Sequence, residues 1–249
     1  MIQSFIERLS RYLRNHRSYY LPDISKEDNG VFRDVRAYTM ISPERLFAVL
    51  QAVKYVCSMN LPGPMVECGV WRGGVMMAVA KTLLSLGITD RDLYLFDTFE
   101  GMPQPTQIDK DFKNRPAQRK FELTKRSSDS SDWCAASIED VLGNMLSTQY
   151  PLDQIHLIPG KVENTIPVNA PEEISILRLD TDWYESTQHE LIYLYPRLAI
   201  GGVLIIDDYG HWQGARKAVD DYFSKHNISI MLNRTDYTGR IGIKIKEVN

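Results

Sequence analysis

The chain has 249 residues, with Lys+Arg 29 against Asp+Glu 32 and a formal net charge of −3, a balance that argues against charge-driven binding of nucleic acid or an anionic membrane. Three cysteines, Cys57, Cys68 and Cys134, with no C-x-x-C spacing argue against a zinc knuckle or a disulfide framework and predict a reducing, cytoplasmic setting. Glu7, Arg8, Arg11 and Arg14 interrupt the apolar N-terminus, and no apolar run reaches the roughly eighteen residues of a membrane span, so neither a signal peptide nor a transmembrane helix is expected.

In chain order, Ile2, Phe5, Ile6, Leu9 and Leu13 recur at helical spacing. They predict a docking helix or a self-association contact, so a homo-oligomer is a possible state. A turn-rich stretch follows from Pro22 to Gly30. Ser42-Pro43-Glu44 then starts a helix that runs to about Met59 through Leu46, Val49, Leu50 and Val53. Together residues 1–60 read as a helical N-terminal cap on a domain spanning 61–249.

After the breaker Leu61–Pro64, the segment from Pro64 to Leu84 reads as strand, glycine loop and helix, with Gly69, Gly73 and Gly74 in the loop. Such a loop lets backbone N–H groups approach a carboxylate-bearing or anionic ligand. Trp71 stands where a dinucleotide fingerprint needs glycine, which disfavours a nicotinamide cofactor; the alternative role of Gly73 and Gly74 is close helix packing. The strand Asp92–Asp97 ends in an acid placed to accept the hydroxyls of a ribose.

From Gln104 to Trp133 periodicity dissolves. A stretch of this length suggests a lid, a binding loop or partial disorder; its seven basic residues, with Phe112 and Phe121 isolated among the polar ones, read as a solvated surface, with contact to an anionic substrate as the alternative. Ser137 caps a helix, Gln154–Gly160 is a third buried strand, and Glu163–Pro167 is its return.

Between Ile174 and Tyr209 the chain reads as two apolar strands joined by a helix and a glycine pair. Each strand ends in acids, Asp180 with Asp182 and Asp207 with Asp208, and ligands of open α/β sheets collect at those carboxyl ends. Carboxylates gathered there repel one another unless a cation neutralises them, and hard oxygen donors suit Mg²⁺ or Ca²⁺. An amphipathic helix, Gln213–His226, and two strands, Ile228–Leu232 and Arg240–Ile245, joined by a hairpin at Asp236–Gly239 complete the chain. The predicted fold is α/β and Rossmann-like: a seven-stranded, mostly parallel sheet with an antiparallel C-terminal hairpin and a lid at 104–133.

This pattern resembles the class I S-adenosylmethionine-dependent methyltransferases. The blocks TMI (Thr39–Ile41), VECGVWRGG (Val66–Gly74), LFDTFEGMP (Leu95–Pro103), IPGKVENTIP (Ile158–Pro167), LRLDTDWYEST (Leu177–Thr187) and LYPRLAIGGVLIIDDYG (Leu194–Gly210) resemble the TylF/MycF family of sugar O-methyltransferases. The resemblance implies Mg²⁺ on Asp180, Asp207 and Asp208, and Asp180 or Asp182 as the base toward a deoxysugar hydroxyl of a glycosylated natural product. It also implies S-adenosylmethionine held by Glu67, Gly69 and the Gly73 loop, with Asp97 at the ribose, Ser137 near the adenine, and Thr39 and Met40 closing over it. His189 and His211 are further candidates for contact with substrate or developing charge. Thr181 and Trp183 depart from the glycine and leucine common in the family, and the 104–133 lid carries no matching motif, so the acceptor stays open. A catechol-type or other vicinal-diol O-methyltransferase, a nicotinamide oxidoreductase and a non-catalytic cofactor-binding protein are the alternatives.

Overall fold

The structure, a computed structural model, describes residues 23–248; the helix expected over residues 2–14 lies outside the described residues. Part of the turn-rich stretch is helical: α1 spans Lys26–Val35. Ser25 accepts a hydrogen bond from the Asp28 N–H at 3.0 Å, and Phe32 and Val35 are buried, so a serine cap and two apolar anchors outweigh the local turn signals. Helix α2, Pro43–Ser58, begins at the Ser42 cap and buries Leu46, Val49, Leu50 and Val53 as the spacing requires.

The core strands are β1 (Met65–Cys68), β2 (Leu93–Asp97), β3 (Ile155–Pro159), β4 (Ile174–Leu179) and β5 (Leu198–Ile206), all parallel, with β6 (Asn233–Arg234) and β7 (Arg240–Ile243) closing one edge. The order is β3-β2-β1-β4-β5-β7-β6, with β7 antiparallel to both β5 and β6. The seven expected strands are present, but the sixth is the dipeptide Asn233–Arg234 and not Ile228–Leu232. Ile228, Ile230 and Leu232 pack instead beside the cluster of Tyr222 and Leu204. Their side-chain burial, equally compatible with a strand, wins without a backbone ladder.

Helices α3 (Gly74–Ser85), α5 (Ile138–Leu146), α6 (Val162–Thr165), α7 (Tyr184–Leu194) and α8 (Gln213–Lys225) cover the sheet. The chain order reverses direction between β1 and β4, which opens a crevice outside the strand ends. Glu67 pairs in register with Arg178 across β1 and β4, so the two side chains lie side by side near that crevice.

The 104–133 insertion keeps Lys113, Arg115, Arg119, Lys120, Lys125 and Arg126 exposed, as its composition suggests, while a few of its residues anchor it to the domain. It contains helix α4, Gln118–Thr124, and buries Phe121, Asp109 and Asp111. Asp109 accepts hydrogen bonds from the Thr106 N–H and hydroxyl at 2.8 Å and from the Tyr184 N–H, the first residue of α7, at 2.9 Å. The Gln213 N–H at the start of α8 donates to the Lys110 carbonyl at 2.8 Å. Polar residues that look solvated in one dimension are spent satisfying the open ends of two helices.

Candidate active site

The crevice is a cavity of about 310 Å³ whose walls include Thr39, Met40, Glu67, Gly69, Asp97, Asp180, Asp182, Asp207 and Asp208. Its first wall is the glycine loop. Gly69 has φ +83, and a Cβ there would come within 2.7 Å of the Asp180 carbonyl carbon, so only glycine lets the loop pass the turn after β4. Gly74 has the same function toward the cap: a Cβ would lie 2.8 Å from the Thr39 N. This contact is what carries Thr39 and Met40 over the cavity. Trp71 replaces the missing fingerprint glycine at φ +47 and lines the cavity itself.

Asp97 holds this loop. Its Oδ2 accepts from the Val70 and Trp71 N–H groups at 2.7 and 3.1 Å, and its Oδ1 accepts from the Phe99 N–H at 2.8 Å. Burial raises its pKa, and the three backbone donors oppose that rise.

The second wall is acidic. One oxygen from each of Asp180, Asp207 and Asp208 lies within 4.8 Å of the others, a donor set matching a small hard cation. Desolvation in the cavity pushes the Asp180 and Asp208 carboxyls well above the usual range, and repulsion among the acids adds to it. Asp182 is pushed up to about 7, first by desolvation, while its hydrogen bond with Asp208 pulls the other way. Glu67 is also pushed up to about 7 by burial, against the pull of Arg178.

Two arginines that are not among the expected site residues complete the site. The Arg178 guanidinium, 3% exposed, pairs with Glu67, with Asp180 at 2.8 Å and with Asp207 at 2.5 Å. Arg45 reaches in from α2 to Asp207 and to Asp236, the latter at 3.0 Å. Arg178 had a sequence signal, because a lone cation inside an apolar strand run has to meet buried carboxylates. Arg45 had none; it is one more charged residue on a helix. Glu67 keeps one buried oxygen, Oε2, without a hydrogen-bond partner.

The third wall is aromatic. The rings of Trp133, Trp183 and Trp212 stand 5.1–5.9 Å apart in edge-to-face and tilted pairs, contributed by the insertion, the turn after β4 and the turn after β5. Trp133 and Trp212 line the cavity, and the Lys120 ammonium sits 4.0 Å from the Trp133 ring centroid.

Three expected site residues, Ser137, His189 and Gly73, do not line the cavity. Ser137 accepts from the Asp140 N–H at 3.3 Å as the cap of α5 and does not line the cavity. His189 lies on α7 with its Nε2 3.0 Å from the Ile166 carbonyl and its ring against Tyr193, outside the cavity wall. Seven residues after Asp182, the helix has turned it toward the α6 return. Gly73, at φ +78, shapes the start of α3 without lining the cavity. His211 does line it, and desolvation lowers its pKa.

A parallel sheet closed by an antiparallel strand, a glycine loop after β1 and an acid ending β2 together define a class I S-adenosylmethionine-dependent methyltransferase fold. The macrocin-O-methyltransferase (TylF) family model matches residues 3–241, and the chain belongs to that family of O-methyltransferases. The chain is 34% identical over 226 residues to demethyldecarbamoylnovobiocin O-methyltransferase of Streptomyces niveus, covering 90% of this chain and 82% of that one. It is 33% identical over 205 residues to mycinamicin III 3''-O-methyltransferase of Micromonospora griseorubida, covering 82% of this chain and 77% of that one. The solved structure of the O-methyltransferase NovP superposes with a TM-score of 0.73 at 32% identity, over 84% of this chain and 83% of that one. Membership in a methyltransferase family sets aside the nicotinamide oxidoreductase alternative.

Proposed function

We propose that the protein is a Mg²⁺- and S-adenosylmethionine-dependent O-methyltransferase acting on a sugar hydroxyl of a glycosylated natural product. The observation that carries this reading is the meeting of Asp180, Asp207 and Asp208 in the cavity that the glycine loop and Asp97 line. Their oxygen donors and desolvated, mutually repelling charges fit a divalent cation. Bound there, Mg²⁺ supplies Lewis acidity toward neighbouring hydroxyls of an acceptor. The cofactor pocket fits as well: the unpartnered Glu67 Oε2 is an acceptor awaiting the ammonium of a methionine end.

Asp182 is the better base of the two candidates. Asp180 is held by Arg178 at 2.8 Å and belongs to the cation set, whereas Asp182 has a pKa near 7 and lines the cavity beside that set. At neutral pH Asp182 can take the proton of an acceptor hydroxyl; bound S-adenosylmethionine would supply the methyl group, its S–CH3 bond breaking as the O–CH3 bond forms and S-adenosylhomocysteine leaving as the thioether. Gly69, Asp97, Thr39 and Met40 bind and orient the cofactor for in-line transfer. Trp133 and Trp212 offer apolar faces to a sugar ring and exclude water. The relatives named for novobiocin and mycinamicin intermediates, and a third at 34% identity named for a rhamnosyl-tetracenomycin 4'-hydroxyl, support a glycosylated acceptor.

The test is calorimetric titration of S-adenosylmethionine into wild type and Glu67→Gln. Methyl transfer to demethyldecarbamoylnovobiocin and to catechol is then assayed with Mg²⁺ or a chelator. Cofactor binding weakened by Glu67→Gln, with chelator-sensitive transfer to the glycoside, is expected. Absence of cofactor binding, or transfer indifferent to chelation, would sink the proposal; transfer to catechol alone would move the acceptor to the vicinal-diol class.

A further inference from the structure

Asp182 sits in an unfavourable backbone conformation. Its φ is +69, and the Trp183 N–H donates to the Thr181 carbonyl at 2.8 Å, closing a three-residue turn with Asp182 at its centre. A three-residue turn with positive φ at a non-glycine centre is rare and persists only where its surroundings over-determine it.

The surroundings are two clamps, one on each side. On the N-terminal side, the Thr181 hydroxyl donates to Glu190 Oε1 at 2.9 Å. Glu190 is fully buried on α7 beside the Cys68 thiol, and burial pushes its carboxyl well above the usual range. The Thr181 carbonyl also accepts from the Ser186 hydroxyl at 3.4 Å. On the C-terminal side, the Trp183 ring is wedged between Trp133 and Trp212, and its Nε1–H donates to the Pro103 carbonyl at 3.1 Å. Neither clamp is needed to form α7: Asp109 already caps its first N–H.

We propose that Thr181, through Glu190, and Trp183, through the indole cluster, are positioning residues that hold Asp182 in its positive-φ turn with its carboxyl in the cavity. This inference rests on the assignment of Asp182 as base. Both act through residue 182: the Thr181 hydroxyl is engaged by Glu190 and the Trp183 indole by the Pro103 carbonyl, and each fixes one end of a turn whose relaxed form would swing the carboxyl away from Asp208. A displacement of that kind near 1 Å costs roughly 100-fold in rate.

The decisive comparison is Thr181→Val, which keeps the shape and removes the hydroxyl, with Thr181→Ser as rescue and Asp182→Asn as the second arm of a double-mutant cycle. With demethyldecarbamoylnovobiocin as acceptor, Thr181→Val is expected to lower kcat roughly tenfold to 100-fold with unchanged calorimetric affinity for S-adenosylmethionine. Thr181→Ser should restore most of the rate, and Thr181→Val should add nothing in the Asp182→Asn background. Thr181→Val at wild-type rate beside an impaired Asp182→Asn overturns this inference alone; Asp182→Asn at wild-type rate overturns the base assignment and this inference with it. The crystal structure of Thr181→Val decides without any acceptor: φ at residue 182 should leave the positive region, and a carboxyl still in place at φ near +69 refutes the proposal.

Discussion

Arg178→Met places the most weight on a single side chain. The guanidinium is 3% exposed and pairs with three carboxylates, Glu67, Asp180 and Asp207. Methionine fills much of the volume but leaves Glu67 and Asp180 without their paired cation and Asp207 with Arg45 alone. Breaking a buried pair by deleting one partner costs about 3–5 kcal/mol. For a domain of this size each kcal/mol moves Tm by about 2–4 °C, so a fall on the order of 6–20 °C is expected at pH 7. The cause is uncompensated negative charge, and the loss should therefore shrink toward pH 5, where the acids take up protons. Added Mg²⁺ should recover part of it at pH 7, by neutralising the same acids. The assay is thermal and urea unfolding of wild type and variant at both pH values, with Mg²⁺ or a chelator. A loss below about 1 kcal/mol at pH 7, or one of equal size at pH 5, would show that Arg178 does not neutralise the acids.

Other expectations concern the same walls. Glu67 and Asp182 have folded-state pKa values raised to about 7, above their unfolded values, so their contribution to stability is fully present below the ordinary carboxylate range and is lost as pH rises through 7. Metal-free protein should lose Tm between about pH 5 and 7, and Mg²⁺ should restore more of it at the upper end; a flat metal-free profile would count against the raised values. Gly69→Ala forces a Cβ against the Asp180 carbonyl at φ +83 and should abolish cofactor binding and lower stability by more than about 1 kcal/mol, read by calorimetry and urea unfolding. Wild-type cofactor affinity in that variant would refute the close approach. His189→Ala removes a hydrogen bond to the Ile166 carbonyl and should cost about 1 kcal/mol of stability with cofactor affinity and transfer rate unchanged; a loss of rate would return His189 to the reacting site.

What the linear chain determined is the sheet and the edge at which its acids gather. Apolar runs of strand length closed by Asp97, Asp180 and Asp207-Asp208 can be buried on both faces only in a parallel sheet, and every such strand delivers its last residue to the same rim. The glycine loop was legible for a similar local reason: Gly69 has a conformation and a clearance that no side chain permits. Everything that depends on partners distant in sequence was decided by tertiary structure. The Arg178 and Arg45 pairs, the three-indole wall and the Asp109 cap on α7 join residues from different segments, and no periodicity encodes such meetings. His189 shows the converse: spacing from Asp182 placed it near the site in one dimension, while the turn of α7 carried its ring to the α6 return. Local patterns specify which elements form and where they end. Long-range packing specifies which side chains meet, because burial and charge neutralisation are satisfied only when the whole sheet has assembled.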